Sequence, residues 1–171
     1  MKYGKLNPYN NAKISFPGFQ EILDFTSAGS ESSVSVAVNG DVDKEYKIVV
    51  RGLHTSGNIT LRLNNDSTAD KYGRQYLINQ GGTISSGRST ATGMIVGAAL
   101  GLNVISLLTP TGFIKTAFLE DNTYTSGTTM ANIIRTGWSF NSTANVTSID
   151  FIFSLFTTGT RICVYARRSQ S

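Results

Sequence analysis

The feature that most constrains this chain is the alternation of apolar and polar side chains from Asn145 to Arg168. A period of two fits half-buried strands better than a helix, whose apolar positions recur at three and four. The turn residues Thr157–Thr160 separate two such segments, so we predict a β-hairpin that closes the fold. Its strands must pair with earlier ones, because a lone strand leaves its backbone groups unsatisfied. The alternating apolar positions are Ile149, Phe151, Phe153, Ile162, Val164 and Ala166.

Similar short segments recur along the whole chain and indicate an all-β protein. The 171 residues are 40% apolar and 15% charged, which suits one domain with a hydrophobic core. About eight to eleven strands separated by turns predict a jelly-roll-like two-sheet β-sandwich over residues 20–171. A polar loop is predicted from Glu120 to Thr129. The remaining predicted strands are Glu21–Thr26, Ser33–Asn39, Glu45–Gly52, Asn58–Leu63, Gln75–Asn79, Thr83–Ser85, Thr92–Ala98, Val104–Leu108, Phe113–Leu119 and Asn132–Phe140.

Residues 1–19 are predicted to form an extended N-terminal arm, because proline, glycine and asparagine interrupt any regular element there. Four aromatic residues of this arm are candidates for anchoring on a neighbouring subunit, since such rings are common interface anchors. The alternative is that the arm lies along its own domain. The four candidates are Tyr3, Tyr9, Phe16 and Phe19.

The polar loop from Asn64 to Gly73 is the second candidate site. Asn64 and Asp66 can bond to backbone N–H groups and shape a turn, and Tyr72 can lay its ring over the sheet. Oxygen atoms here could also hold calcium, but no glutamate follows at the position that an EF-hand requires. We therefore predict a structural loop, and no metal or cofactor.

The sequence contains few groups that could carry out catalysis. His54 is the only histidine and Cys163 the only cysteine, so the usual zinc ligand sets and an internal disulfide are unavailable. No serine has a nucleophile-elbow sequence around it. A pair of carboxylates could still meet in space, as in glycosidases. The scarcity of titratable groups favours a protein that is not an enzyme.

The net charge of +4 does not by itself predict a nucleic-acid partner. The basic residues cluster only at the two ends of the chain, without the interleaved aromatics of a nucleic-acid-binding stripe. Such ends fit an acidic protein neighbour equally well. We predict no nucleic-acid partner. The clustered residues are Lys2, Lys5, Lys13, Arg161, Arg167 and Arg168.

The uncharged stretch from Ser89 to Ile114 is also not predicted to cross a membrane. Polar residues interrupt it, whereas a spanning helix needs about twenty predominantly apolar residues. Two buried strands explain it better. The first residues, Met1–Lys5, lead into polar sequence without the apolar segment of a signal peptide, so we expect synthesis in a cytoplasm.

Several short motifs resemble a module of tailed-phage virion proteins over residues 45–168. They are Leu61-Arg62-Leu63-Asn64-Asn65-Asp66, then Tyr72-Gly73-Arg74-Gln75-Tyr76, and finally Gly159-Thr160-Arg161-Ile162-Cys163-Val164-Tyr165. The resemblance implies a jelly-roll-like building block of phage heads, tails or fibres, commonly a homotrimer. Ala166-Arg167-Arg168 stands where such modules usually end with a glycine, which leaves the partner surface at this end open.

The resemblance leads to two functional expectations. The first is a capsid decoration or cement protein of the virion that binds the major capsid protein or another virion protein. The alternative is a receptor- or carbohydrate-binding module of the tail or baseplate, in which Trp138 would serve as a sugar-stacking platform. We expect Trp138 to pack in the core. We also expect Arg161 to pair with Asp150 on an adjacent strand.

Overall fold

The structure of the protein is a computed structural model that describes residues 15–52, 58–80, 83–96, 101–126 and 129–167. Within these residues the chain forms twelve strands and one four-residue helix, and the strands form two antiparallel sheets packed together. The predicted all-β sandwich is confirmed. The elements are β1 Gln20–Thr26, β2 Ser33–Ala37, α1 Gly40–Asp43, β3 Glu45–Gly52, β4 Ile59–Leu63, β5 Tyr72–Gln80, β6 Thr83–Ala91, β7 Met94–Val96, β8 Gly101–Leu108, β9 Lys115–Ser126, β10 Thr129–Phe140, β11 Ser148–Ile152 and β12 Arg161–Arg167.

The strand order is that of a jelly roll with two inserted hairpins. The large sheet has the order β1-β12-β3-β8-β9-β10-β5-β6, and the small sheet has the order β2-β11-β4-β7. When the hairpins β5–β6 and β9–β10 are left aside, two four-stranded sheets remain, with the orders β1-β12-β3-β8 and β2-β11-β4-β7. The first strand of the chain then pairs with the last, β1 with β12, and the second pairs with the last but one, β2 with β11, as in a jelly roll. The two inserted hairpins lie side by side and lengthen the large sheet. We call these four strands the extension.

The alternating side chains predicted from the sequence form the core between the sheets. Ile162, Val164 and Ala166 of β12 are fully buried against the small sheet. On the same strand, Cys163 and Tyr165 point to the other face of the large sheet. The two predicted faces of this strand are therefore confirmed. Other buried core residues are Tyr46, Ile48, Val50, Ile59, Leu61, Leu63, Ile149 and Phe151.

The predicted closing hairpin is wrong. β11 pairs with β2 and β4 in the small sheet, whereas β12 pairs with β1 and β3 in the large sheet. The segment between them crosses from one sheet to the other, with Phe156 fully buried on the way. Alternation shows which face of a strand is buried, but not which strand lies beside it.

The predicted polar loop from Glu120 to Thr129 is wrong as well. β9 runs through to Ser126, and β10 begins at Thr129. Residues Ser86–Ser89, whose sequence is also typical of a loop, are part of β6, which pairs with β5 without a register shift. The sequence of these two segments is typical of loops, because neither face of the strand pattern is wholly apolar.

Phe16 and Phe19 lie on the outer face of their own large sheet. The Phe16 ring packs edge-on against Tyr165 at a centroid distance of 5.2 Å, and the Arg167 guanidinium lies 4.8 Å from the centre of the Phe19 ring. Gly18, with φ of 80°, makes the turn between the two rings. Of the two interpretations of the arm, contact with the chain's own domain therefore holds for these two residues. Tyr3 and Tyr9 lie outside the described residues.

Two short features complete the fold. Helix α1 begins after Asn39, whose side chain accepts a hydrogen bond from the backbone N–H of Asp41. No helix among the described residues has the length and apolar character needed to cross a membrane. Two strands, β7 and β8, lie in the uncharged stretch that we predicted to form strands.

Candidate binding surface on the extension

The outer face of the extension, which points away from the small sheet, carries the candidate functional surface. The strand register places its side chains in three cross-strand rows. The first row is Glu120, Arg135, Leu77 and Ser86. The second is Phe118, Gly137, Gln75 and Arg88. The third is Thr116, Ser139, Gly73 and Thr90.

Two adjoining clefts of about 660 and 600 Å³ lie along these rows. Both are lined by Gln75, Arg88 and Gly137, so they form one continuous trough, which we call the extension trough. The second row is deepest at its centre, because Gly137 has no side chain between Phe118 and Gln75. Leu77 and Arg135 bound one end of the trough, and Ser139 and Thr90 line the other.

The glycine at the floor of the trough is not required by the fold. The φ of Gly137 lies outside the left-handed region, so a side chain would not strain the backbone. A Cβ placed there would meet nothing within 4 Å. Glycine within a strand usually lowers stability, and it often marks a place where a ligand or another backbone approaches closely. The space above Gly137 is therefore open to a partner.

Two arginines give the trough a positive charge. Arg135 lies 3.5 Å from the Glu120 carboxylate, and both side chains are about half exposed. The Arg88 side chain is exposed and makes no hydrogen bond or ion pair within the described part of the chain. Glu120 offsets Arg135, and the Asp70 carboxylate accepts a hydrogen bond from Thr90 at the other end of the trough, so Arg88 carries the positive charge that has no anionic partner within the described residues of this face.

Large apolar side chains surround the trough and are left half exposed. Isolated exposed leucines are ordinary, but a group of them on one sheet face marks an interaction surface. Leu77 and Phe118 line the trough itself, while Ile84 and Ile133 lie one row beyond its first row. Their exposed fractions are 48% for Leu77, 47% for Phe118, 68% for Ile84 and 40% for Ile133.

The inner face of the extension supports the trough from below. Arg74 donates a hydrogen bond of 2.6 Å to Ser89 and lies over the rings of Tyr76 and Trp138. Trp138 is 3% exposed and belongs to the hydrophobic core, as we predicted. It therefore offers no open ring for stacking on a sugar. Across the sheet from Tyr76, Gly87 leaves room for the phenol, since a Cβ there would clash with it.

The predicted loop residues Asn64, Asp66 and Tyr72 hold the first strand of the extension in place. The Asn64 side chain accepts hydrogen bonds from the backbone N–H groups of Thr147 and Ser148. The Tyr72 hydroxyl accepts a hydrogen bond from the N–H of Leu63 and donates one to the carbonyl of Asp66. The loop thus ties the start of β5 to β4 and to the segment that enters β11.

The loop also carries two shifted pKa values. Hydrogen bonds from Lys71 and Thr68 lower the pKa of Asp66 to about 2. Burial raises the pKa of the Tyr72 hydroxyl to about 12. The Asp66 carboxylate lies 2.6 Å from the Lys71 ammonium. Its oxygens are thus engaged by the loop itself. Within the described residues, no three His, Cys, Asp or Glu side chains meet in a way that would hold a metal ion.

The predicted pair of Arg161 and Asp150 is wrong. Arg161 makes two hydrogen bonds, of 2.8 and 2.7 Å, to Asp24 on the neighbouring β1. Asp150 lies in the other sheet and accepts hydrogen bonds from Ser35 and from the backbone N–H of Asn65. The error follows from the hairpin that we wrongly predicted between β11 and β12.

The trough itself was not predicted from the sequence. The available signal was Gly137, an isolated glycine in a segment that otherwise has the pattern of a strand.

His54 lies outside the described residues. Comparison of the chain with protein-family models, curated proteins and solved structures gives no match, so the candidate surface is argued from its own geometry.

Proposed function

We propose that this protein is a non-enzymatic structural protein of a phage virion, of the capsid decoration type. It attaches to the major capsid protein or another virion protein through the outer face of the extension. The observation that carries the proposal is the group of half-exposed apolar side chains around the extension trough. Their burial against a neighbour would be favourable, because apolar surface leaves water.

The architecture supports this assignment of the surface. The core between the sheets includes inner-face residues of the inserted hairpins, such as Tyr72, Leu119 and Trp138, whereas the side chains of their outer face add nothing to that core. The outer face of the extension nevertheless carries the large apolar side chains Leu77, Ile84, Phe118 and Ile133, which are exposed to water. A surface of this kind is typical of an interface with another protein. The phage context comes from the resemblance of the sequence motifs.

Co-sedimentation with separated phage heads and tails tests the proposal. The protein should sediment with heads, and Leu77→Ser should weaken its binding at least about fivefold, because it removes an apolar contact at the centre of the surface. Leu155→Ser is a matched control, since Leu155 is 52% exposed but lies between β11 and β12. Absence from both fractions, or equal loss in the two variants, would contradict the proposal.

A second candidate function is that of a tail or baseplate module that binds carbohydrate. The polar groups along the trough favour it, since sugars bind through several hydrogen bonds beside an apolar surface. Gln75, Arg88 and Ser139 line the trough, and Phe118 is its exposed ring. A glycan array distinguishes the two functions. Specific glycan binding that is lost in Gln75→Ala would support this alternative.

A further inference from the structure

We propose that the extension trough receives an extended acidic segment of a partner protein, with one large apolar side chain seated over Gly137 and carboxylates beside Arg88 and Arg135. This inference rests on the proposed function and specifies the chemistry of the partner at the same surface. It depends on three observations: the unfilled space above Gly137, the positive charge of Arg88, and the apolar side chains of Phe118 and Leu77 beside that space.

The space over Gly137 can accommodate a side chain of a partner protein. Phe118 bounds it on one side and Gln75 on the other, because all three belong to one cross-strand row. Leu77 stands in the next row along the trough. An apolar side chain placed there would contact both Phe118 and Leu77, and it would lie directly on the backbone of β10. Glycine permits this close approach, and any larger residue would fill the same volume.

The charges select an acidic partner over a basic one. Arg88 has no anionic partner within the described part of the chain, and Glu120 offsets only Arg135. Arginine binds carboxylates in a bidentate manner, which adds orientation as well as energy. Residues 1–14 of a second copy carry three lysines and no acidic residue, so they do not match this charge. A different protein with acidic residues fits better.

Variants of the trough separate binding from folding. Gly137→Val fills the open space, and it should leave the thermal midpoint unchanged or higher because nothing lies within 4 Å of the added Cβ and valine favours strands. The double variant Arg88→Gln, Arg135→Gln removes both positive charges and leaves polar, shorter side chains. Arg62→Gln is the control, because Arg62 lies in the small sheet and bonds to the Thr92 carbonyl.

Fluorescence anisotropy provides the test, with the full-length protein and a labelled nonapeptide in which aspartate and leucine alternate. A nonapeptide with lysine in place of aspartate is the matched probe, and tetragalacturonate represents an acidic saccharide. The aspartate peptide should bind at least about tenfold more tightly than the lysine peptide, and more weakly as salt is raised. Gly137→Val and the double arginine variant should each lose about tenfold in affinity, whereas Arg62→Gln should bind as the unmodified protein does.

Some results would overturn the inference. Equal binding of the two peptides would exclude charge selection, and unchanged affinity in Gly137→Val would exclude the pocket over the glycine. Binding of tetragalacturonate without binding of the aspartate peptide would assign the trough to a saccharide. The same variants tested with phage heads keep the two proposals apart. If both trough variants bind heads as tightly as the unmodified protein does, the proposal that the extension docks on the virion is retained, and the proposal that the trough binds an acidic segment is excluded.

Discussion

The Tyr72 hydroxyl allows the anchoring of the extension to be measured. It accepts a hydrogen bond of 3.0 Å from the N–H of Leu63 and donates one of 3.1 Å to the carbonyl of Asp66. Tyr72 and Leu63 are fully buried. In Tyr72→Phe the ring keeps its stacked contact with Phe140, at a centroid distance of 4.7 Å, and only the hydroxyl is lost. The Leu63 N–H then has no acceptor and no access to water.

The expected loss of stability follows from that single donor. A buried donor left unsatisfied costs about 1–3 kcal/mol, whereas the half-buried Asp66 can turn its carbonyl to water. We expect the free energy of unfolding to fall by about 2 kcal/mol. For a domain of this size, that lowers Tm by about 4–8 °C.

Urea unfolding followed by circular dichroism measures this change, and the midpoint should fall while the slope m stays constant. Tyr76→Phe is the matched control, because it removes a phenol hydroxyl that makes no hydrogen bond within the described part of the chain. We expect the control to change stability by less than about 0.5 kcal/mol. If Tyr72→Phe also changes the free energy of unfolding by less than about 0.5 kcal/mol, the hydroxyl does not contribute the stability that we assign to it.

Two further predictions concern other parts of the molecule. The pKa of Asp66 is about 2 in the folded protein against a usual 3.8, so its stabilising contribution is present above pH 3.8 and is lost as the pH falls towards 2. Asp66→Asn should therefore flatten the dependence of the urea midpoint on pH in this window, and an unchanged slope would contradict the role of its hydrogen bonds. Phe16→Ala should speed the reaction of Cys163 with a thiol reagent, because the Phe16 ring packs on the cluster that buries this thiol and burial raises its pKa. A labelling rate equal to that of the unmodified protein would show that the ring does not shield the cysteine.

The sequence predicted the buried faces of strands but not their neighbours. In β4 and β12 each apolar residue at a period of two faces the core, because burial of one face selects this pattern. Pairing between distant strands leaves no comparable local signal. For this reason β11 and β12 were assigned to one hairpin although they lie in different sheets.

The candidate surface was harder to predict for a physical reason. The segments 86–89 and 120–129 of the inserted hairpins are rich in polar residues, so they resemble loops in sequence. The trough is formed by the absence of side chains at Gly73 and Gly137, which are 64 positions apart and meet only through the register of β5 and β10. In contrast, the loop of Asn64 and Asp66 was recognisable, since asparagine and aspartate have a direct chemical reason to form turns.

The position of β12 between β1 and β3 in the large sheet has a consequence for biosynthesis. This strand lies between β1 and β3, and β11 lies between β2 and β4 in the other sheet. These four early strands can therefore complete their pairing only after a late strand has been synthesised. The small sheet cannot close before β11 has been synthesised to Ile152, and the large sheet cannot close before β12 has been synthesised to Arg167. Until then the nascent chain exposes its future interior, so folding should be slow and dependent on chaperones.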